Sequence, residues 1–544
     1  MLRRDFLRAG SAVALTLGVP WGRGRVWAAE TPKQGGQMIV TFQTDLSTLD
    51  PAVGYDWQNW SVIKVIFDGL MDYKAGTTEL VPDLAESFNI APDGLKYTFR
   101  LRKDVKFHNG RLLTAADIKY SFERMLDPAT QSPGAGFYDV IKGQDAVVGG
   151  QTNDLAGLTT PDDHTVVFEL VRPDATFLHK LALNFPFAVP KEEVEKYGPD
   201  FATHPVGTGA FKVTEWTLGQ RLVLERNPNR PAGQPPYLDR IIFEFGQEPT
   251  VALLRLQRGE VDILGDSIPP AQFNQVMADP ANKDLIVQGN QFQTGYVTML
   301  VTKPPFDQKE VRQAVNMAIN KERIVRIING RAKPANQPLP PGMPGYDPNY
   351  KGYPYDVDGA KKLLAAAGYA DGFDTELYCM NVDPNPRIAQ AIQQDLAAIG
   401  IRAEIKSLAQ SAVIEAGGQG NAPMIWSGGM AWISDYPDPS DFYGPILGCG
   451  GAVPGGWNWA KYCNEAIDKR AAEADAIVDP AKAAERVEMW RKIFLDIMED
   501  APWAPIFNEL RFTMHSARIG GDRTLFVDPV YVPLRYDYIY AKDA

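Results

Sequence analysis

The spacing of apolar positions changes abruptly between residues 95 and 126, and the change predicts three elements in succession. Tyr97, Phe99 and Leu101 alternate with Thr98, Arg100 and Arg102, the period of a strand with one buried face. Asn109-Gly110 supplies positive backbone angles for a tight turn. Thr114 and Asp117 have the spacing of a capping box, and the helix they open buries Ile118, Phe122 and Met125. Farther on, Val311, Ala314, Val315, Ala318 and Ile319 share one helical face within residues 310–329, with a break at Asn320 and a stop at Gly330. Residues 387–399 predict another amphipathic helix, stopped at Gly400 and followed by a strand over 401–405; residues 376–380 also read as strand.

Earlier in the chain, residues 38–70 predict a strand, the loop LDPAVGYDWQNW and a helix, which puts Tyr55, Trp57 and Trp60 in the loop. Residues 221–245 predict strands interrupted by the turn-rich NPNRPAGQPP. Helices and strands interleave throughout with no internal repeat, which makes the fold class α/β. The apolar, Gly-rich run MIWSGGMAWI at 424–433 gives way to SDYPDPSDF, whose prolines argue against both helix and central strand. Loops at strand ends are where α/β proteins bind ligands, so this loop is the first candidate site.

Composition narrows the class. The chain has 544 residues, 45% of them hydrophobic and 10% aromatic, enough for two or three lobes with sizeable cores. LRRDFLR at residues 2–8, followed by a short apolar run to Pro20, looks like a twin-arginine export signal, and Val26-Trp27-Ala28 offers a cleavage site after Ala28. The apolar run is too short to span a bilayer, and no Cys stands near its end to be lipidated, so the expectation is a free periplasmic protein. Cleavage removes five Arg and one Asp, taking the formal charge from −12 to −16, which argues against nucleic acid or an anionic membrane as partner. The five His are scattered, no CxxC or HExxH is present, and the GxSxG and GxxxxGK[ST] patterns are absent. Neither metal, cofactor nor catalytic residues are expected.

The stretch LVPDLAESFNIAPDGLKYTFRLRKDVKFHNGRLLTAADIKYSFERM at residues 80–125 strongly resembles the signature region of the extracytoplasmic solute-binding proteins of peptide-type ABC importers, family 5. PVGTGAFKVTE at 205–215 resembles that family's second block and residues 310–329 its third, and the ordered blocks extend over residues 34–540. The resemblance implies a two-lobed periplasmic binding protein, hinge-linked, with an extra subdomain in its first lobe and the ligand cleft between lobes. Residues 1–28 are then the leader, 29–62, 206–292 and 513–544 the first lobe, 63–205 the subdomain and 293–512 the second lobe. Gln291 to Tyr296 is the expected crossing between lobes, with a return near residues 512–516. Such a protein is a monomer that captures a solute and hands it to a permease; it is not an enzyme. A chaperone or a chemosensory ligand carrier would share the fold.

The same resemblance assigns a site. Asp435 matches the position where peptide-binding relatives pair a carboxylate with the ligand's α-ammonium, while Asp438 and Asp441 are expected to cap and turn the loop. Tyr55, Trp60 and Trp432 match cleft-lining positions; Tyr436 adjoins Asp435, and Trp457 lies beside Asn458, an Asn of the family. Cys449 and Cys463 flank the Gly-rich loop CGGAVPGGWNWAKYC; an oxidising periplasm permits a disulfide, and the pairing resembles that of dipeptide-binding members. Cys379 is expected to be a buried free thiol. Dipeptide-binding relatives carry an Arg for the ligand carboxylate where this chain has Cys379 and Met380, and Arg387 reads as structural. The expected ligands are therefore a peptide or amine-bearing solute first and an oligosaccharide second.

Overall fold

The computed structural model describes residues 32–230, 235–521 and 534–542. The leader read at residues 1–28 lies outside them. The first of three larger sheets has the strand order Ile263–Leu264, Gln37–Thr41, Arg240–Glu244, Arg221–Arg226, Phe211–Thr217. Gln37–Thr41 runs parallel to both its neighbours, and the remaining pairs are antiparallel. Val40, Phe211, Leu224 and Ile241 bury one face against Val62 and Ile66 of helix Trp57–Ile66, together with Ile519, Leu534 and Tyr536 from the chain's last segment.

Helix Trp57–Ile66 starts earlier than the apolar pattern suggested, because Asp56 caps it: its Oδ1 accepts from the amides of Gln58 and Asn59. Trp57 and Trp60 therefore stand on the helix, and only Tyr55 lies in the loop before it. The C-terminal end of this helix explains the glycines of the 205–215 block. Gly209 donates its amide to the Ile66 carbonyl at 2.8 Å, and a Cβ at Gly209 would fall 2.4 Å from the same carbonyl's carbon. No side chain fits between two backbones that close.

The second sheet, ordered Ala85–Ile90, Lys96–Leu101, Thr165–Glu169, Leu158–Asp162, is antiparallel throughout. Helix Ala115–Leu126 forms with both halves of its capping box, and Ile118, Phe122 and Met125 pack into the core, with Phe122 5.1 Å from the Phe168 ring. In the preceding turn only Gly110 has positive φ; Asn109 instead accepts from the Arg111 amide through Oδ1. A single left-handed residue closes this turn, with the Asn side chain acting as its brace.

The third sheet runs Ala332–Pro334, Trp503–Met514, Ile286–Met299, Met424–Trp426, Phe373–Met380, Ile401–Leu408. Lys309–Ala318 and Lys321–Ile327 are separate helices, since Asn320 caps the second by accepting from Arg323 N at 2.9 Å. Helix Asn385–Ala397 begins two residues before the predicted start.

The strands Ile286–Met299 and Trp503–Met514 link two cores. Leu510, Phe512 and Met514 pack with Leu253, Leu256 and Phe273, whereas Val297, Met299, Ala504 and Ile506 pack under the six-stranded sheet. Between the two ends the ladder shifts register from Asn290 to Thr294. Buried polar side chains fill the irregular stretch, where Asn508 Nδ2 donates to Thr294 Oγ1 at 2.8 Å and Gln293 Nε2 to the Ala431 carbonyl at 3.2 Å.

Candidate ligand site

The loop after Met424–Trp426 is anchored to this irregular stretch. Ser434 donates its amide to the Phe292 carbonyl at 2.9 Å, and Gln293 pairs with Ile433 in an isolated bridge. Asp435 is thereby fixed beside the point where the chain passes from one core to another. Its amide donates to Asp441 Oδ2 at 2.9 Å, and the same oxygen accepts the Trp432 indole N–H at 3.1 Å. From the other side Tyr55 donates its hydroxyl to Asp435 Oδ2 at 3.1 Å. Residues 380 positions apart in sequence thus share one hydrogen bond.

Asp435 is 4% exposed and Asp441 1%, yet neither forms an ion pair among the described residues, and Asp441 Oδ1 is buried without a hydrogen-bond partner. Burial, and then the charge of Asp441, hold the Asp435 carboxyl well above the ordinary carboxylate range; the Tyr55 hydroxyl and Lys64 draw it down only in part. Burial raises Asp441 to about 7, against hydrogen bonds from Trp432 and the Asp435 amide. Two buried acids with no ion-paired cation, Lys64 acting on Asp435 only through its field, are poised to accept positive charge from outside the chain.

Asp438 behaves in the opposite way. Arg486 grips both its oxygens, at 2.6 and 2.8 Å, and also reaches Asp475 at 2.7 Å. Burial pushes the Asp438 carboxyl up, but Arg486 more than offsets this and holds it low. Asp438 also accepts from the Ser440 amide, capping a short helix, Pro439–Tyr443. The prolines of the loop do not forbid this turn of helix, because Pro439 takes the first helical position, where no amide is needed.

Aromatic rings surround the acids. Tyr55 packs on Trp60 at 5.5 Å and on Phe185 at 5.4 Å, and Trp432 meets Trp457 edge-on at 6.1 Å. Tyr55 and Trp457 are 38% and 43% exposed, so each presents a ring face to solvent at the site's margin. Contacts from the helix start and the core of the four-stranded sheet on one side, and from Trp432 and Trp457 on the other, therefore converge on the acid pair.

Residues 79–453 match the bacterial extracellular solute-binding proteins, family 5. The chain belongs to this family. It is a solute-binding protein of the ABC-importer type rather than an enzyme. Among its relatives, di/tripeptide-binding protein 1 of Pseudomonas aeruginosa is 32% identical over 528 residues, covering 91% of this chain and 94% of that protein. Heme-binding protein A of Haemophilus influenzae is 31% identical over 503 residues, 87% of this chain and 86% of the relative. A periplasmic binding protein of Helicobacter pylori, solved with the peptide STSA, superposes with a TM-score of 0.76 at 28% identity, covering 94% of this chain and 99% of that one. The two-lobed fold follows from that likeness. Among the described residues no helix is long and apolar enough to cross a membrane.

In this solute-binding protein the remaining candidates separate by position. Tyr436 leaves the acid pair and enters the core of the four-stranded sheet, stacking on His179 at 6.2 Å and meeting Phe137 edge-on at 6.3 Å. Asn458 is fully buried, donating to the Gly448 and Tyr462 carbonyls and accepting from the Tyr462 amide, so its side chain is committed to shaping the loop. Cys449 and Cys463 close that loop as a disulfide, with Cα atoms 4.4 Å apart. Cys379 is a buried free thiol, and Arg387 is bound by Asp383 at 2.6 and 2.7 Å on the surface. Sequence spacing missed Asp441: as expected it holds the loop, but it is also the second half of the buried acid pair. The signal that could have found it is its position six residues after Asp435, which brings both carboxyls to the same side of a loop turned back by a helical turn.

Proposed function

We propose that this protein captures a peptide or another amine-bearing solute in the cleft at Asp435 and delivers it to an ABC permease. The observation that carries the reading is the buried Asp435–Asp441 pair, neither member of which is ion-paired among the described residues and of which Asp435 feels only the field of Lys64. An ammonium entering the site supplies the missing charge, and the Tyr55 ring flanks it as a cation-compatible face, backed by Trp60, over whose own ring Lys64 already lies. The peptide-binding names among the relatives point the same way.

Closure follows from where these groups stand. The first lobe is taken as 29–62, 206–292 and 513–544, the subdomain as 63–205 and the second lobe as 293–512. A hinge at Gln291 to Tyr296, returning near 512–516, is supported by the register shift and its buried polar filling. Ligand favours the closed state only by touching both lobes, and Tyr55 and Asp435 are the contacts that meet.

Solute released from natively purified protein and identified by mass spectrometry tests the class. A true ligand at a hundredfold excess over its dissociation constant adds about 2.7 kcal/mol to the folded state, visible as a raised melting temperature. A peptide or amine is expected; release of an oligosaccharide would transfer the affinity to the Trp432 and Trp457 faces instead. Export with cleavage after Ala28 and the Cys449–Cys463 bridge have their own check: the intact mass of the exported monomer should begin at Ala29 and lie two hydrogens below the reduced chain.

A further inference from the structure

A half-buried cation also contacts the start of helix Trp57–Ile66. Arg511, on strand Trp503–Met514, donates through Nη2 to the Gly265 carbonyl at 2.9 Å, and its guanidinium lies 5.0 Å from the centroid of the Trp57 ring. Its Nε is buried without a hydrogen-bond partner, and it forms no ion pair among the described residues. The Tyr536 phenol and two acids are close enough to feel its charge, but none of the three is bonded to it. Asp266 turns its Oδ2 to the Gln43 amide at 2.6 Å, and the Glu509 carboxyl, pushed up by burial, has no hydrogen bond to the guanidinium. Burial pushes Arg511 itself down to about 10, the mark of a positive charge short of compensation.

The location matters as much as the chemistry. Gly265 follows the carboxyl end of Ile263–Leu264 and Gln43 that of Gln37–Thr41, two parallel neighbours, and parallel strands present ligand sites at their carboxyl ends. Trp57, whose ring covers Arg511, is two residues from Tyr55, whose hydroxyl reaches Asp435. The helix start therefore touches both an acid pair without an ion-paired cation and a guanidinium without an ion-paired anion. The strand that bears Cys379 and Met380 offers no cation for a ligand carboxylate, and Arg387 is already bound by Asp383.

We infer that Arg511 receives the C-terminal carboxylate of a short peptide whose ammonium lies at Asp435. The inference rests on the peptide reading above and adds the second end of the ligand. A guanidinium offers a planar fork to a carboxylate, and the free Nε–H is one of its tines.

The test uses a mixed library of tri- and tetrapeptides prepared as free acids, as C-terminal amides and as N-acetylated acids, with the retained fraction read by mass spectrometry on the intact folded protein. Wild type should enrich free acids over amides roughly 10- to 100-fold, the scale of a charged hydrogen bond. Arg511→Met should lose that preference while still rejecting N-acetylated peptides; Arg511→Lys, which keeps the charge without the fork, should fall between and carries the test if the Met variant does not fold. Equal retention of acids and amides by wild type, with N-acetylated forms rejected, overturns the role of Arg511 and leaves the peptide reading standing. A preference for acids that survives in Arg511→Met places the carboxylate elsewhere. Retention of none of the three forms overturns both.

Discussion

Asp435→Asn should weaken binding of an amine-bearing ligand by about 1.5 to 3 kcal/mol, a factor of roughly ten to a hundred and fifty, while leaving the fold intact. An amide at this position still accepts from the Tyr55 hydroxyl and still donates its backbone N–H to Asp441, so only the charge is lost. Calorimetric titration of wild type and variant with the same ligand reads the difference, and unchanged affinity would shift the ligand class toward sugars. The pH dependence has a definite sign. Asp435 and Asp441 are raised in the folded protein, so their contribution to the empty protein's stability is full below the ordinary carboxylate range and is lost as pH rises, for Asp441 through about 7. A bound ammonium compensates the charge that then appears. The ligand-induced rise in melting temperature should therefore grow between about pH 4 and pH 7, and Asp435→Asn should flatten that growth.

Asp438→Ala should do the reverse, costing about 3 to 5 kcal/mol of unfolding free energy with little effect on the affinity of whatever folded protein remains. The substitution takes away both oxygens that Arg486 grips and leaves that buried guanidinium with Asp475 and the Ala474 carbonyl. Chemical denaturation of the empty protein measures the cost. A midpoint equal to wild type would show that Asp475 alone satisfies Arg486. These two results would separate two aspartates three residues apart in one loop into a binding group and a structural one.

Much of this was written locally in the chain. The capping box at Thr114, the helix break at Asn320 and the strand alternation at Tyr97 each depend on neighbours within four residues, and each formed where the pattern placed it. The start of helix Trp57–Ile66 depended on equally local chemistry, but the signal was an Asp cap amid aromatic residues, which masked the period. The acid pair was half legible: resemblance pointed to Asp435, whereas the burial that makes Asp441 its partner comes from Trp432 and from packing that no spacing encodes. Tyr436 and Asn458 looked equally suited to a cleft. What separates them from Trp432 is long-range: His179 and Phe137 claim one, and the Gly448 and Tyr462 backbone claims the other. Arg511 was invisible because a charged residue in an alternating strand ordinarily faces water.

The hydroxyl of Tyr55 at Asp435 gives the cleft a resident competitor. On the proposed reading, an incoming solute that takes Asp435 Oδ2 does not fill a waiting acceptor; it displaces a phenol that already donates a neutral hydrogen bond of good length. A sugar or alcohol offers the same kind of bond and so breaks even in the exchange, while an ammonium brings charge that the phenol lacks. On that reading, discrimination against uncharged solutes is built into the empty protein at this oxygen, as a threshold each ligand taking it has to exceed before any aromatic face contributes to holding it.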